Sequence, residues 1–230
     1  MPVPETPHPA HELTLVEEFA LLALDDRTGE PLNLPPSALG YGLAGAIILD
    51  LSLAGRVDTD LEQLTVISPV PTGNVLLDPW LRRFQSTQPP NSVKFWLREL
   101  VLREEEIQRA AVDRLIQRGI LRREERRLFW VFGVRRYPTF DGTERSEVRT
   151  RLTRLILGND LPSPRDAILM SLIHGCHLSE YLFAGPDFTA RQQRIETLAK
   201  TDLVGREVST ATLNSLDELN RALSQMPLFV

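Results

Sequence analysis

Apolar residues recur at helical spacing along most of this chain, and short runs of turn-forming residues separate the apolar stretches. In Leu13 to Leu24, Thr14 is followed three residues later by Glu17, the spacing of a capping box at the start of a helix. Ser37 to Leu53 is apolar on nearly every side, so it is predicted to be the buried central helix of the fold. Its many small residues favour close approach by a neighbouring helix.

The rest of the pattern predicts further helices and two β elements. Leu61 to Ile67 is predicted to be a short strand, and two β-prone runs, Ile120 to Arg122 and Leu128 to Val134, flank a charged turn, as in a β-hairpin. The predicted helices are Val75 to Phe84, Ser92 to Leu102, Glu104 to Arg118, Ser146 to Leu157, Pro164 to His174, Leu178 to Phe183, Thr189 to Lys200 and Ser209 to Ser224. The predicted fold class is therefore mainly α, with a central helical bundle surrounded by amphipathic helices and a protruding β-hairpin.

The composition fits one globular domain preceded by a short tail. The chain has 230 residues, of which 42% are hydrophobic, enough for a single core over residues 13–230. Residues 1–12 contain four prolines and no apolar run, so we predict a disordered Pro-rich tail that is not a secretory signal. Cys176 is the only cysteine, which excludes an intramolecular disulfide and suits a reducing compartment. We expect a cytoplasmic protein, and any membrane contact to be peripheral because Ala38 to Ala54 is too short and interrupted to span a bilayer.

Positive charge is concentrated in one segment of a chain whose net charge is −5. Between Arg122 and Arg154 there are ten arginines and five acidic residues. The candidate residues for binding an anionic lipid are the arginines of the predicted hairpin: Arg122, Arg123, Arg126, Arg127, Arg135 and Arg136. The candidates for membrane or oligomer contact are the apolar residues beside them: Leu128, Phe129, Trp130 and Phe132. The alternative is a solvated, charged hairpin whose aromatic face packs on its own core.

Several segments carry a resemblance to a known family. They are L-T-L-V-E-E (Leu13 to Glu18), L-D-D-R-T-G (Leu24 to Gly29), G-L-A-G-A-I-I-L-D-L-S-L-A-G-R-V (Gly42 to Val57), P-T-G-N-V-L-L-D (Pro71 to Asp78), T-Q-P-P-N-S-V (Thr87 to Val93) and V-D-R-L-I-Q-R-G-I-L (Val112 to Leu121). In this order, and over nearly the whole chain, they resemble the Golgi phosphoprotein 3 family. The resemblance implies a helical domain with a hairpin that supports oligomerisation. It also implies binding of phosphatidylinositol 4-phosphate at the Golgi face and an adaptor role for glycosyltransferases.

The residues that the family uses for the lipid headgroup are largely replaced in this sequence. The first of the matching positions falls near Pro35 and the second is Ala44, and neither side chain can donate a hydrogen bond to phosphate. Glu105 and Gln108 stand at the family's basic pair, although a small gap would place Arg103 at one of these positions. We therefore expect a divergent member, for example a bacterial one, in which Arg103 joins the hairpin arginines as a candidate lipid-binding residue.

The predicted function is that of a peripheral membrane or adaptor protein without a cofactor, not an enzyme. No Gly-rich phosphate loop or G-x-S-x-G motif is present, and no catalytic residue is assigned. The expected partners are an anionic phospholipid or phosphoinositide headgroup, a client protein that the sequence does not identify, and a second copy of the chain. The alternative is a protein–protein scaffold without lipid binding. A winged-helix-like DNA-binding protein is less favoured, because the candidate recognition helix begins with Glu104, Glu105 and Glu106, which would repel phosphate.

Two groups of polar residues have structural interpretations. His174, Cys176, His177 and Glu180 have spacing that suits a metal ion, but they lie in an apolar run, and packed or partly exposed histidines are the favoured interpretation. Asp50, inside the predicted buried helix, requires a partner such as Arg56 or a helix N-terminus. Capping and helix-surface roles explain the two acidic residues of the first helix, Glu17 and Glu18.

Overall fold

The computed structural model describes residues 12–59, 63–125, 135–139, 142–158, 162–185, 188–199 and 210. The helices in these residues are α1 (Leu15–Leu22), α2 (Ala38–Leu53), α3 (Asp78–Ser86), α4 (Val93–Val101), α5 (Glu104–Gln117), α6 (Thr143–Leu157), α7 (Pro164–Gly175), α8 (Ser179–Leu182) and α9 (Phe188–Ala199). The strands are β1 (Val57–Thr59), β2 (Leu64–Val66), β3 (Glu124–Glu125) and β4 (Arg135–Arg136). The mainly helical fold class is confirmed.

Helix α2 lies at the centre of the fold, as its apolar sequence predicts. It packs against α1, α4, α5 and α7, and most of its residues are buried. Helix α1 is buried along its whole length and packs closely on α2. Close approach is possible because Gly42 has no side chain, and a β-carbon at this position would overlap the ring of Phe19.

Local sequence signals set several helix boundaries. The capping box of α1 is present, because Thr14 accepts a hydrogen bond from the Glu17 backbone and the Glu17 side chain accepts one from the Thr14 backbone. Helix α5 is followed by Gly119 in a left-handed conformation, with φ of 75°. The interval containing Pro89 and Pro90 separates α3 from α4, as predicted.

The β elements are shorter than predicted and partly shifted. Strand β2 falls within the predicted Leu61 to Ile67. It pairs antiparallel with β1, a strand that the sequence analysis did not predict. The hairpin is present as β3 paired antiparallel with β4. The prediction that Glu124 and Glu125 belong to the charged turn is wrong, because both residues lie in β3 and pair with Arg136 and Arg135.

Some predictions fall on residues that the structure does not describe. The tail over residues 1–11 is among them, as is the predicted helix over residues 209–224 apart from residue 210. The far part of the hairpin, residues 126–134, also lies outside the described residues. The lipid-binding candidates Arg126 and Arg127 and the contact candidates Leu128, Phe129, Trp130 and Phe132 therefore stay predictions.

Candidate functional site

The base of the β3–β4 hairpin is attached to the turn that follows α1. The Tyr137 backbone N–H donates a hydrogen bond of 2.8 Å to the Gly29 carbonyl, and the Arg136 guanidinium lies 2.7 Å from a carboxylate oxygen of Glu30. Gly29 has φ of 65°, and a β-carbon there would overlap the backbone of Tyr137 and Pro138. This glycine therefore allows the turn and the hairpin base to meet.

The candidate arginines near the hairpin base are mostly exposed and form surface ion pairs. Arg122 pairs with Glu124 at 3.1 Å, and its side chain is 58% exposed. Arg123 pairs with Asp113 at 2.6 Å and is 49% exposed. Ion pairs between exposed side chains contribute about 0–1 kcal/mol each, so these guanidinium groups can exchange their partners at low cost.

The remaining described candidates differ in their accessibility. Arg103 lies at the start of α5, is 52% exposed and pairs with Glu106 at 3.6 Å. Arg136 is less exposed, at 26%, and is paired with Glu30. Arg135 lies in β4, but its side chain is not among those described. The structure thus places Arg122, Arg123 and Arg136 near the hairpin base and Arg103 at the other end of α5.

Two other arginines of the basic segment, one buried and one partly exposed, pair with Asp26 in the turn after α1. Arg145 is buried, its guanidinium donates to the carbonyls of Leu22 and Leu24, and it lies 2.7 Å from Asp26. Burial lowers the pKa of Arg145, and the Asp26 carboxylate opposes this effect. Arg149 also pairs with Asp26, at 2.9 Å. These positive charges stabilise the end of α1 and the turn after it.

A network of buried charges joins α1, α2, α6 and α7. Glu18 is only 2% exposed and accepts hydrogen bonds from Arg151 at 2.8 Å and Arg165 at 3.0 Å. Arg151 also bonds Asp166 at 2.6 Å. Burial raises the pKa of Glu18, against the opposing effect of Arg165 and Arg151. The predicted helix-surface role of Glu18 is therefore wrong, because its carboxylate is the centre of this network.

Asp50 accepts hydrogen bonds from a helix N-terminus, one of the two partners predicted for it. The Leu15 and Val16 backbone N–H groups, which begin α1, donate to its carboxylate oxygens at 3.0 and 3.1 Å. The nearest arginine is Arg165, at 3.8 Å, so the predicted partner Arg56 is wrong. Burial raises the pKa of Asp50 to about 7, although the two backbone hydrogen bonds favour its ionised form.

Ala44 and the start of α2, which the sequence analysis matched to headgroup positions, lie near an internal carboxyl group. Ala44 is fully buried in α2 and carries no donor. At the start of this helix, the Gly40 backbone N–H donates to the Glu104 carboxylate, and burial raises the pKa of Glu104. An anion already belonging to the protein therefore lies at the first turn of α2, where a helix N-terminus favours negative charge.

The histidine and cysteine segment has no metal-site geometry in the described residues. No group of three His, Cys, Asp or Glu side chains in this part of the chain is arranged to hold a metal ion. Helix α7 ends at Gly175, Cys176 is buried, and the His177 ring lies 3.6 Å from Glu180. None of the described helices is long and apolar enough to cross a membrane.

A small cavity that the sequence analysis missed lies between the start of α1, the end of α2, the 72–74 loop and α5. Its volume is about 220 Å³, and Ala54, Asn74, Arg114 and Arg118 are among its lining residues. No local motif marks this cavity, because the elements that form it are far apart in sequence.

The central bundle and the attached hairpin define a mainly helical protein with exposed arginines at the hairpin base. The family model of Golgi phosphoprotein 3 matches residues 15–214, so the chain belongs to the Golgi phosphoprotein 3 family. It is also similar to the vacuolar protein sorting-associated protein 74 of Eremothecium gossypii, with 22% identity over 217 residues. The match covers 79% of this chain and 64% of that protein, so the chain spans less than two thirds of the relative's length.

Proposed function

We propose that this protein is a peripheral membrane adaptor that contacts anionic lipid through the arginines around its hairpin. Membership of the Golgi phosphoprotein 3 family carries the adaptor part of this proposal. The lipid part rests on Arg122 and Arg123, whose side chains are about half exposed at the hairpin base. Each arginine near an anionic bilayer contributes roughly 1 kcal/mol, an effect that salt screens.

The surface ion pairs of these arginines are compatible with membrane contact. Their partners Glu124 and Asp113 are themselves 43% and 44% exposed, so water solvates both charges of each pair. A lipid phosphate can replace such a carboxylate because charge-assisted hydrogen bonds from arginine suit phosphate as well as carboxylate.

We further propose that binding depends on surface charge more than on one phosphoinositide headgroup. Ala44 and Pro35 supply no donors at the family's headgroup positions, and the Glu104 carboxylate at Gly40 repels a second anion there. The protein should therefore bind vesicles of equal negative charge similarly, whether the charge comes from phosphatidylserine or from phosphatidylinositol 4-phosphate.

Liposome flotation at low and high salt tests the proposal. The double variant Arg122→Gln and Arg123→Gln should lose roughly 2 kcal/mol of membrane affinity, about a thirtyfold weaker partition coefficient. The matched control is Arg82→Gln and Arg109→Gln, which removes the same charge from exposed positions on α3 and α5. The control should retain nearly all of the binding.

Two results would contradict the proposal. If no anionic vesicle retains the protein at low salt, the membrane role fails and the scaffold alternative is favoured. If the control and the hairpin variant lose binding equally, net charge and not the hairpin surface is responsible. DNA binding, the third alternative, predicts a strongly salt-dependent gel shift, which the exposed Glu105 and Glu106 at the start of α5 oppose.

A further inference from the structure

The cavity between α1, α2, α5 and the 72–74 loop contains unused hydrogen-bond donors. Arg114 uses its Nε to bond Glu17 at 3.0 Å, and within the described part of the chain its two Nη groups have no partner. The Asn74 side chain accepts a hydrogen bond from the Leu76 backbone at 2.8 Å through Oδ1, whereas its Nδ2 group has no partner among the described residues. Both side chains line the cavity.

The buried carboxylates beside the cavity are already satisfied. Glu17 is fully buried, and its oxygens accept from the Thr14 backbone at 2.9 Å, the Thr14 hydroxyl at 3.0 Å and Arg114. Arg118 lies 3.5 Å from the same carboxylate. Asp50 accepts from two backbone N–H groups of α1. Glu12 also lines the cavity, and its carboxylate lies 3.5 Å from Arg165. Because each carboxylate that lines the cavity already has a partner in the protein, the donors of Arg114 and Asn74 are left for the oxygens of an anion.

The size and the arrangement of the donors indicate the class of ligand. A volume of about 220 Å³ is smaller than the 300–1,000 Å³ typical of pockets for drug-sized molecules, so a small ligand or a single chemical group fits. A carboxylate would use both of its oxygens on the Arg114 fork, whereas a phosphate group has further oxygens for Asn74 on the opposite loop. Leu77 and Ala54 give the cavity an apolar side.

We propose that this cavity binds a phosphate group between Arg114 on α5 and Asn74 in the 72–74 loop. The site is separate from the hairpin arginines and does not depend on the proposed membrane function. The phosphate group comes either from a small molecule in solution or from a lipid headgroup, because both present the same oxygens to the donors.

NMR titration of the isotope-labelled full chain with inorganic phosphate tests the site directly. Ionic strength is held constant with chloride, and the backbone amides of Gly73 and Asn74 and the Arg114 Nε signal are followed. We expect saturable shifts at these signals in the millimolar range, and no such shifts with chloride alone. Failure of phosphate to produce saturable shifts at tens of millimolar would overturn the proposal.

Three variants locate the binding site. Ala54→Leu places a larger side chain at the cavity wall without removing any charge, and it should weaken phosphate affinity about tenfold or more. Arg114→Gln should have a similar effect, but it also removes a partner of the buried Glu17. If Arg114→Gln does not fold, Ala54→Leu decides the test. Arg109→Gln, an exposed position on the same helix, should leave the affinity within about twofold of the wild type. Unchanged affinity in Ala54→Leu would overturn the proposal.

The source of the phosphate group is distinguished by competition. Vesicles containing phosphatidic acid expose a phosphate monoester, and vesicles with the same charge from phosphatidylserine do not. If only the phosphatidic acid vesicles reduce the response of Gly73 and Asn74 to inorganic phosphate, the natural ligand is a lipid headgroup. If neither does, and the variants behave as expected, the ligand is a soluble phosphate compound.

Discussion

The buried carboxylate of Asp50 should make the stability of this protein depend on pH in an unusual direction. Its pKa rises from 3.8 to about 7 on folding because burial disfavours the charged form. Between these two values the folded state holds a proton that the unfolded chain releases. The free energy of unfolding should therefore fall as the pH increases through this range, and the loss should be complete above about pH 7.

The size of this effect follows from the pKa shift. A shift from 3.8 to about 7 corresponds to about 4 kcal/mol over the full range, of which roughly 2–3 kcal/mol falls between about pH 5 and pH 8. Glu18, whose pKa is also raised by burial, adds a contribution of the same sign. The difference between the wild type and Asp50→Asn isolates the part that belongs to Asp50.

Asp50→Asn removes the titrating group and part of the hydrogen bonding. The amide oxygen of the variant can accept from the backbone N–H of either Leu15 or Val16. Its Nδ2 cannot accept from the remaining N–H, which lowers the free energy of unfolding by about 1 kcal/mol. The variant should therefore be less stable than the wild type near pH 5. The wild type should then lose its advantage as the pH increases, so that the two stabilities converge or cross before about pH 8.

Urea unfolding at a series of pH values, followed by tryptophan fluorescence, measures this dependence. Trp80 and Trp96 are buried and report on the loss of the core. Asp58→Asn, which removes a carboxylate from an exposed position in β1, is the matched control. Wild-type and Asp50→Asn curves that are parallel from pH 5 to pH 8 would show that Asp50 stays ionised in the folded protein and would refute the reasoning.

Three further substitutions test the packing and the charge network. Arg165→Met should destabilise the fold by about 3–5 kcal/mol, because it leaves the buried Glu18 carboxylate with only part of its compensation, and chemical unfolding at pH 7 measures this loss. Thr14→Ala removes the capping box of α1 and should cost about 1 kcal/mol in the same assay, and an unchanged midpoint would contradict the capping role. Gly42→Ala should cost about 1–3 kcal/mol because its methyl group overlaps the Phe19 ring, and a thermal midpoint equal to the wild type would show that the helices can separate freely.

The features that the sequence predicted correctly depend on neighbours close along the chain. The Thr14–Glu17 capping box and the end of α5 at Gly119 are examples, because the residues involved are within a few positions of each other. The continuous apolar run of α2 also predicted its central position without any knowledge of its partners. Local signals were sufficient for the fold class and for the helices within the described residues.

The features that the sequence did not predict depend on contacts between distant residues. Arg165 lies 147 positions from Glu18, and no spacing rule connects them. In the sequence, Glu18 has the position of a surface residue of an amphipathic helix. Its burial results from contacts with Arg151 on α6 and Arg165 on α7. The cavity donors Arg114 and Asn74 were missed for the same reason, since an arginine near a helix end and an asparagine in a turn each have ordinary local explanations.

The basic segment shows why a count of charges along a sequence overestimates the charge available to a ligand. Its arginines have two different roles in the structure. On α6, Arg145 is itself buried and Arg151 compensates the buried Glu18 carboxylate, so a lipid phosphate could reach them only by breaking ion pairs that are buried on one side. Arg122 and Arg123 pair at the surface, where exchange of a carboxylate for a phosphate costs little. We therefore expect any contribution of this segment to membrane affinity to come from its hairpin end, and salt should weaken it strongly because those charges are in contact with water.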